Sequence, residues 1–401
     1  MEPLQPHQLL SLVDELGQAV VEEASSCRSP QSHSRLLSLI DQLRLAVETP
    51  TETVLRLIYQ PPQNAALRTA IDLGVFDHLI SRGRKGISAS ELSTHTNAER
   101  ALIVRLMRVI TALGLCANPQ PEVYQSNSKT FMLTQPIGRD GVRCIYDLTM
   151  PTLARLPEYF REHHYTTPKD YSQSPMCWAV GQSQFEWLAQ RRHQQVLFNS
   201  YMSSRREGRP AWFDVYPLNR LMTPPLTDNN VLLVDVGGNQ GHDLVRFRKK
   251  HPQAPGRLIL QDLPGVVAGH TSETIEAMAY SFLDPQPVKG ARTYYFRAIF
   301  HDWPDHICQK ILQNTVAAMD AHSRIIIVDF VLPDTDTPLL QASLDIQMLS
   351  IGSGAERSKR QWIEMLQAAG LEIRGIWSGS PGMESVIEAA PVQLNMTRNF
   401  D

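Results

Sequence analysis

The chain has no surplus of positive charge: 38 Lys and Arg stand against 41 Asp and Glu among 401 residues, a formal net charge of -3. A nucleic-acid partner needs a concentrated basic face, so that class of function is set aside. Cysteine is also scarce. The five, Cys27, Cys116, Cys144, Cys177 and Cys308, are odd in number, widely scattered and without a CxxC pair. That pattern argues against a disulfide framework and a zinc site, so no metal is expected and a reducing compartment fits. No run approaches the roughly 18 apolar residues of a membrane span. The first 23 residues mix Glu2, Asp14, Glu15, Glu22 and Glu23 among apolar ones, unlike a signal peptide. Internal repeats and low-complexity tracts are lacking too. What remains is a globular mixture, 42% hydrophobic and 20% charged, expected to be soluble and cytoplasmic.

The length exceeds one compact core, so several folded units are expected. Residues 1–48 read as an amphipathic helical extension, apolar at Leu9, Leu12, Val13 and Leu16 and again at Leu36, Leu39, Leu43 and Val47. A polar break lies between Ser25 and Ser34. Residues 49–140 read as short helices followed by strands. Ser88 or Ser90 can cap one helix, Asn97 the longer one that follows, and Gly114 can stop it. The stretch from Tyr124 to Leu133 reads as two strands, which completes the outline of a winged helix. Its longer helix offers mainly Arg100, Arg105 and Arg108, no basic cluster, so dimerisation and pocket lining are expected rather than DNA reading. Residues 141–225 are rich in aromatics and Met and end in the turn-forming TPPLTDNN, which predicts a helical linker and substrate-pocket region.

Residues 226–401 alternate strand and helix, the rhythm of a doubly wound, mostly parallel α/β sheet. LLVDVGGNQG, Leu232 to Gly241, is a strand entering a glycine-rich turn and then a helix. Gly237, Gly238 and Gly241 allow close backbone approach to a ligand, and Asn239 tolerates a left-handed conformation. Asp262, in LILQDLPGVV, follows Gly241 by 21 residues, a distance that suits a ribose diol. A nucleoside-type cofactor is therefore expected. In YYFRAIFHDWPDHICQKIL, from Tyr294 to Leu312, His301 falls where a strand ends and a helix begins, the ligand-binding position of open α/β sheets.

Together with RIIIVDFVLPD and LDIQMLSIGSGAERSKRQWIEMLQAAGLEI, these strings resemble the caffeate/flavonoid-type O-methyltransferases from about Gln63 to Ala389. GQSQFEWLAQ and FNSYMSSRREGRPAWFDVYP look especially like the fungal secondary-metabolite branch, which includes pericyclases on the same fold. The resemblance implies a Rossmann-like S-adenosylmethionine (SAM) domain, an N-terminal winged-helix dimerisation domain and a homodimer. It implies cofactor contacts at Asp235, Gly237, Gly238, Asp262, Leu263, Ser281, Phe282 and Arg297. Ser281 stands where the family carries an acid. It also implies His301 as catalytic base, flanked by Asp329, shorter than the usual Glu, and Glu356. Asp302 and the methionines Met202 and Met348 are implied contacts of a small-molecule acceptor. Methyl transfer to an aromatic or enolic hydroxyl is the expected activity. A SAM-dependent pericyclase, which keeps the cofactor as a fixed charge, is the alternative, and retention of His301 with Asp302 favours methylation.

Overall fold

The computed structural model describes residues 6–25, 29–379 and 382–392, so Glu2, Cys27 and residues 26–28 of the predicted break lie outside it, while from Pro30 that break is helix. The chain divides into two compact units, residues 1–154 with 184–208, and 155–183 with 209–401. The predicted linker region is thus shared between them.

In the first unit, helices Pro6–Ala24 and Pro30–Val47 pack on each other, the second capped by Ser29, whose hydroxyl accepts from Ser32 N at 3.0 Å. Further on, helices Gln60–Asp72, Val75–Arg82, Ala89–Thr96 and Arg100–Ala112 bury Ile71, Phe76, Leu79, Leu92, Ile103, Met107 and Ile110 together. Beside them lies a small antiparallel sheet of β1 (Ile87–Ser88), β2 (Ala117–Gln120) and β3 (Val123–Gln125), in the order β1-β3-β2. Ser88 caps its helix as expected, and Gly114 turns the chain with φ 67°. Asn97 does not cap the longer helix. With φ 53° it ends the preceding one, because Asn tolerates the left-handed region that closes a helix, and Glu99 begins the next. The second predicted strand is instead helix Ser128–Met132. The Asn127 side chain accepts from Thr130 N at 3.0 Å, and this local cap outweighs the strand preference of Phe131.

The second unit is built on β4 (Val231–Val236), β5 (Arg257–Asp262), β6 (Glu276–Ala279), β7 (Thr293–Arg297) and β8 (Arg324–Asp329). Two short strands, β9 (Val331–Leu332) and β10 (Arg357–Ser358), pair separately; β11 (Leu371–Ser378) and β12 (Ser385–Pro391) rejoin the main sheet. Its order is β11-β12-β8-β7-β4-β5-β6, parallel from β8 to β6 and antiparallel at β11 and β12. Both faces are covered, which is why the central strands read as unbroken apolar runs. On one face Val234, Phe296, Ile327 and Ile387 meet Ile311, Leu312, Trp362 and Leu366. On the other Leu233, Leu260, Tyr295 and Val328 meet Trp212, Leu244 and Phe247. The chain adds β5 and β6 to one side of β4, then β7 and β8 to the other. That reversal opens a crevice at the carboxyl ends of the strands, the ligand position of such folds.

Trp362 is buried in this core and donates Nε1–H to Phe330 O at 2.9 Å, immediately after Asp329. Trp362→Ala should lower the unfolding free energy by about 3–5 kcal/mol, the usual cost of such a truncation, read by urea denaturation.

Candidate active site

At the tip of β4 the backbone of Gly237 and Gly238 donates to Gln261 O at 2.8 and 3.2 Å, laying the turn on β5. Gly237 has φ 75° and Asn239 φ 53°, as the turn requires. A Cβ on Gly237 would sit 2.6 Å from Ile299 Cδ1, and one on Gly238 2.4 Å from Cγ of the buried Asp235. The cradle therefore excludes any larger residue. Asp262 Oδ2 accepts from Asn239 N at 2.8 Å and Oδ1 from Leu263 N at 2.7 Å. Each carboxylate oxygen keeps a lone pair for a hydroxyl, so the pair fits a ribose diol. The Phe282 ring borders Gly237 and meets Trp303 edge-on, centroids 5.9 Å apart; Trp303 in turn meets Tyr171 at 5.8 Å. Ser281 Oγ accepts from Leu283 N at 3.3 Å and offers a hydroxyl where an acid would offer charge. These features fit a nucleoside cofactor.

His301 lies in a 3-10 turn, Phe300–Asp302, that follows β7. Its Nδ1 is 3.1 Å from Glu356 Oε1 and 3.4 Å from Asp329 Oδ1, while Nε2 is 3.6 Å from Asp302 Oδ1. Sequence neighbours 28 and 55 residues away are thus brought to one ring nitrogen. The ring is 17% exposed, and the Asp329 and Glu356 side chains 2% each. Burial alone would push the imidazole pKa down. The carboxylates of Asp329, Asp302 and Glu356 outweigh it and push the pKa up to about 10. Burial, with Glu356 adding, pushes the Asp329 carboxyl up to about 7 against the pull of His301. Asp329 Oδ2 and Glu356 Oε2 are buried without a hydrogen-bond partner. A single Nδ1–H is therefore held between two carboxylates, and Nε2 is the nitrogen left to meet a ligand. The three donor atoms lie within 4.8 Å of one another, a spacing a cation also uses. A proton on Nδ1 meets the same need.

What holds this cluster is Arg357, which is itself buried. Its Nη1 donates to Phe300 O at 2.7 Å and Ala355 O at 3.3 Å, and its Nη2 to Trp303 O at 2.8 Å. Nε and Nη2 pair with Asp305 Oδ1, and Nη2 also meets Cys308 Sγ at 3.4 Å. The Cys308 thiol lies 3.4 and 3.3 Å from the same carbonyls of Phe300 and Trp303. Ala355 N donates to His301 O at 3.0 Å, and a Cβ on Gly354 would fall 1.9 Å from that oxygen. Glu356 N donates to Asp345 Oδ1 at 2.9 Å, on helix Leu339–Ile351. Arg357 also begins β10, whose pairing with β9 ties the Glu356 loop to the chain just beyond Asp329. None of Arg357, Gly354 and Asp345 was singled out by sequence. The only local signal was the string GSGAER itself.

The remaining predicted residues are placed as follows. Met348 shares the Leu339–Ile351 helix with Asp345, three residues on, hence on the same face. Met202 lies on helix Arg192–Ser204 of the first unit. Arg297 ends β7 with its guanidinium between Asp243 and Glu384. Leu263 is 55% exposed at the rim beside Asp262.

The model of the O-methyltransferase domain matches residues 171–372, which include the glycine turn, Asp262 and the whole His301 cluster. The chain belongs to this O-methyltransferase family. Its dimerisation-domain model matches residues 59–135. The methyltransferase cfoC of Aspergillus candidus is 31% identical across 96% of this chain and 98% of its own. The structure of LepI with SAM superposes with a TM-score of 0.83 at 31% identity, covering 97% of this chain and 100% of that one. A structure described as a pericyclic reaction enzyme gives 0.83 at 30% over the same shares. The chain is thus a SAM-dependent enzyme of the fungal secondary-metabolite branch of this O-methyltransferase family. Among the described residues no helix is long and apolar enough to cross a membrane.

Two substitutions test the cluster. Glu356→Gln removes a carboxylate that raises the imidazole pKa, so the His301 midpoint, followed by NMR of ring-labelled histidine, should fall below about 10. Imidazolium stability is fully present below the unfolded pKa of about 6.5 and lost as pH rises through the folded value. The pH dependence of unfolding should therefore flatten in the same variant. Gly354→Ala should displace the His301 turn and shift the same resonance; an unmoved titration would show that the Gly354 contact does not position the ring.

Proposed function

We propose that the protein methylates a hydroxyl of an aromatic or enolic small molecule, with His301 as general base. The observation that carries this reading is the imidazole, fixed through Nδ1 by two buried carboxylates with Nε2 on its other side. Gly237, Gly238, Asp262, Ser281 and Phe282 would hold the cofactor. When bound, it supplies the methyl group and a positive charge that lowers the proton affinity of His301. The chain's own residues supply the proton transfer. An ordinary histidine, pKa about 6.5, taking a proton from a phenol of about 10 faces a gap of roughly 4.8 kcal/mol. The carboxylates of Asp329, Asp302 and Glu356 narrow it by holding the proton affinity of His301 above that of an ordinary histidine. They also stabilise the imidazolium and fix its tautomer, as the carboxylate of a hydrolase triad does. The same shift keeps His301 protonated at neutral pH in the cofactor-free protein, so the base becomes available only as its pKa falls in the loaded site.

A second reading rests on the likeness to the pericyclic reaction enzyme and on Ser281: a SAM-dependent pericyclase that retains the methyl group. His301 and its carboxylates favour methylation, since a fixed charge alone needs no base. The four described cysteines, Cys116, Cys144, Cys177 and Cys308, are free thiols, which supports a cytoplasmic setting. The dimerisation domain supports a homodimer, as do Val54, Leu55, Leu57, Ile58 and Tyr59, all 46–57% exposed just before it or at its first residue.

Three measurements test this. With candidate aromatic, polyketide or pyridone acceptors, product mass should rise by one methyl and demethylated cofactor should form in equal amount. Multiple turnovers with intact cofactor would replace this reading with the pericyclase. His301→Ala should lose about 10²- to 10⁴-fold in rate, the range of general acid–base catalysis, with cofactor affinity nearly unchanged. Light scattering at micromolar concentration should report twice the chain mass; a monomer would remove the homodimer.

A further inference from the structure

Methyl transfer to a hydroxyl releases one proton for every methyl moved, and with His301 as the base proposed above, that proton lands first on the ring. Nδ1–H is already held between Glu356 Oε1 at 3.1 Å and Asp329 Oδ1 at 3.4 Å, so the arriving proton occupies Nε2. The ring keeps what it receives. Asp329 faces it from the end of β8, Glu356 from the loop before β10 and Asp302 from its own turn. Arg357 and Cys308 lie beneath that turn, on the carbonyls of Phe300 and Trp303. The three carboxylates outweigh burial and push the imidazole pKa up to about 10, so the imidazolium gives up a proton less readily than an ordinary one. Each turnover must nevertheless empty Nε2 before the next. The acids on the Nδ1 side offer no way out, since the Asp329 and Glu356 side chains are 2% exposed.

Asp302 differs on both counts. Its Oδ1 lies 3.6 Å from Nε2, and 40% of its side chain is exposed, against 17% for the ring. Among the described residues it alone pairs with Nε2. The separation exceeds a hydrogen bond by an amount that one side-chain rotation or one bridging water makes up. The turn fixes the acid in place: Asp302 N donates to Ile299 O at 3.2 Å, and Arg357 holds the carbonyls on either side. The protein packed on its inner side pushes the Asp302 carboxyl above the ordinary range, with His301 opposing and Glu356 adding, which makes it a better proton acceptor than a free aspartate. We propose that Asp302 carries the proton from His301 to solvent. The acceptor O–H bond breaks as Nε2–H forms. Nε2–H then breaks as an O–H bond forms on Asp302, and a buffer base or hydroxide in bulk water removes that proton. Carboxylate and imidazole are both restored, and no group is oxidised or reduced. The three acids thus divide the work: Asp329 and Glu356 hold the proton that stays, and Asp302 moves the one that leaves.

NMR of the cofactor-free protein with ring-labelled histidine follows the second transfer without any methylation, as exchange of the His301 Nε2 proton with water at neutral pH. The resonance is assigned by its loss in His301→Ala. Two bases serve as final acceptors, the small imidazole and the bulkier HEPES. In the wild type both should accelerate exchange within threefold of each other, because Asp302 meets them at the surface. Asp302→Asn should slow exchange in HEPES by roughly 10-fold or more, and imidazole, small enough to reach Nε2, should restore most of it. Asp302→Glu keeps a carboxylate and should stay within threefold of the wild type. A carboxylate acting through its charge alone predicts the opposite sign, since its removal lowers the proton affinity of the ring and speeds proton loss. Unchanged or faster exchange of Asp302→Asn in HEPES therefore overturns the relay, as does a wild type that HEPES serves tenfold worse than imidazole. Either result leaves His301 standing as the base. An undiminished methylation rate in His301→Ala overturns the base, and the relay with it.

Discussion

The active end of this molecule depends on one buried cation. Taking a guanidinium out of water costs several kcal/mol unless its donors are satisfied. Arg357 meets that demand with the carbonyls of Phe300, Trp303 and Ala355 and with Asp305. Those acceptors come from the turn that carries His301 and from the loop that carries Glu356. A point charge could hold one such segment. A planar fork with five donors holds two at a fixed spacing, so lysine is no substitute. His301 and Glu356 are registered to each other by a guanidinium that bonds to neither side chain.

A second constraint is the sign of the charge this arrangement leaves behind. His301 faces Asp329, Glu356 and Asp302, and Arg297 faces Asp243 and Glu384. Both clusters hold more acid than base. Water cannot screen them well, so the crevice attracts positive charge before any specific contact forms. The same surplus raises the proton affinity of His301.

Much of the frame was legible because its causes are local. The run Val231–Val236 is apolar since both faces of its strand are covered, and the glycines after it are demanded by contacts of 2.4 and 2.6 Å. His301 was marked by its place at a strand end, and its acids by resemblance. What escaped the sequence fell into three kinds. Competing local signals misassigned Asn97, which suits either end of a helix, and residues 128–132, where a side-chain cap overrides strand preference. The edge strand β6 is largely exposed and so shows no alternation. Long-range pairings left no trace at all. Arg357 with Phe300 spans 57 residues and Arg297 with Glu384 spans 87, and no periodicity encodes either.

Beneath His301 lies Cys308, wedged among the Phe300 and Trp303 carbonyls and Arg357. Burial pushes its thiol pKa up to about 12, with Arg357 opposing. The thiolate is the form that attacks electrophiles and oxidants, and at neutral pH almost none of it exists here. Electrophiles such as quinones and enones alkylate cysteines through that form. The turn under His301 thus carries a sulfur that packs like a small hydrophobe and is chemically quiet toward such electrophiles.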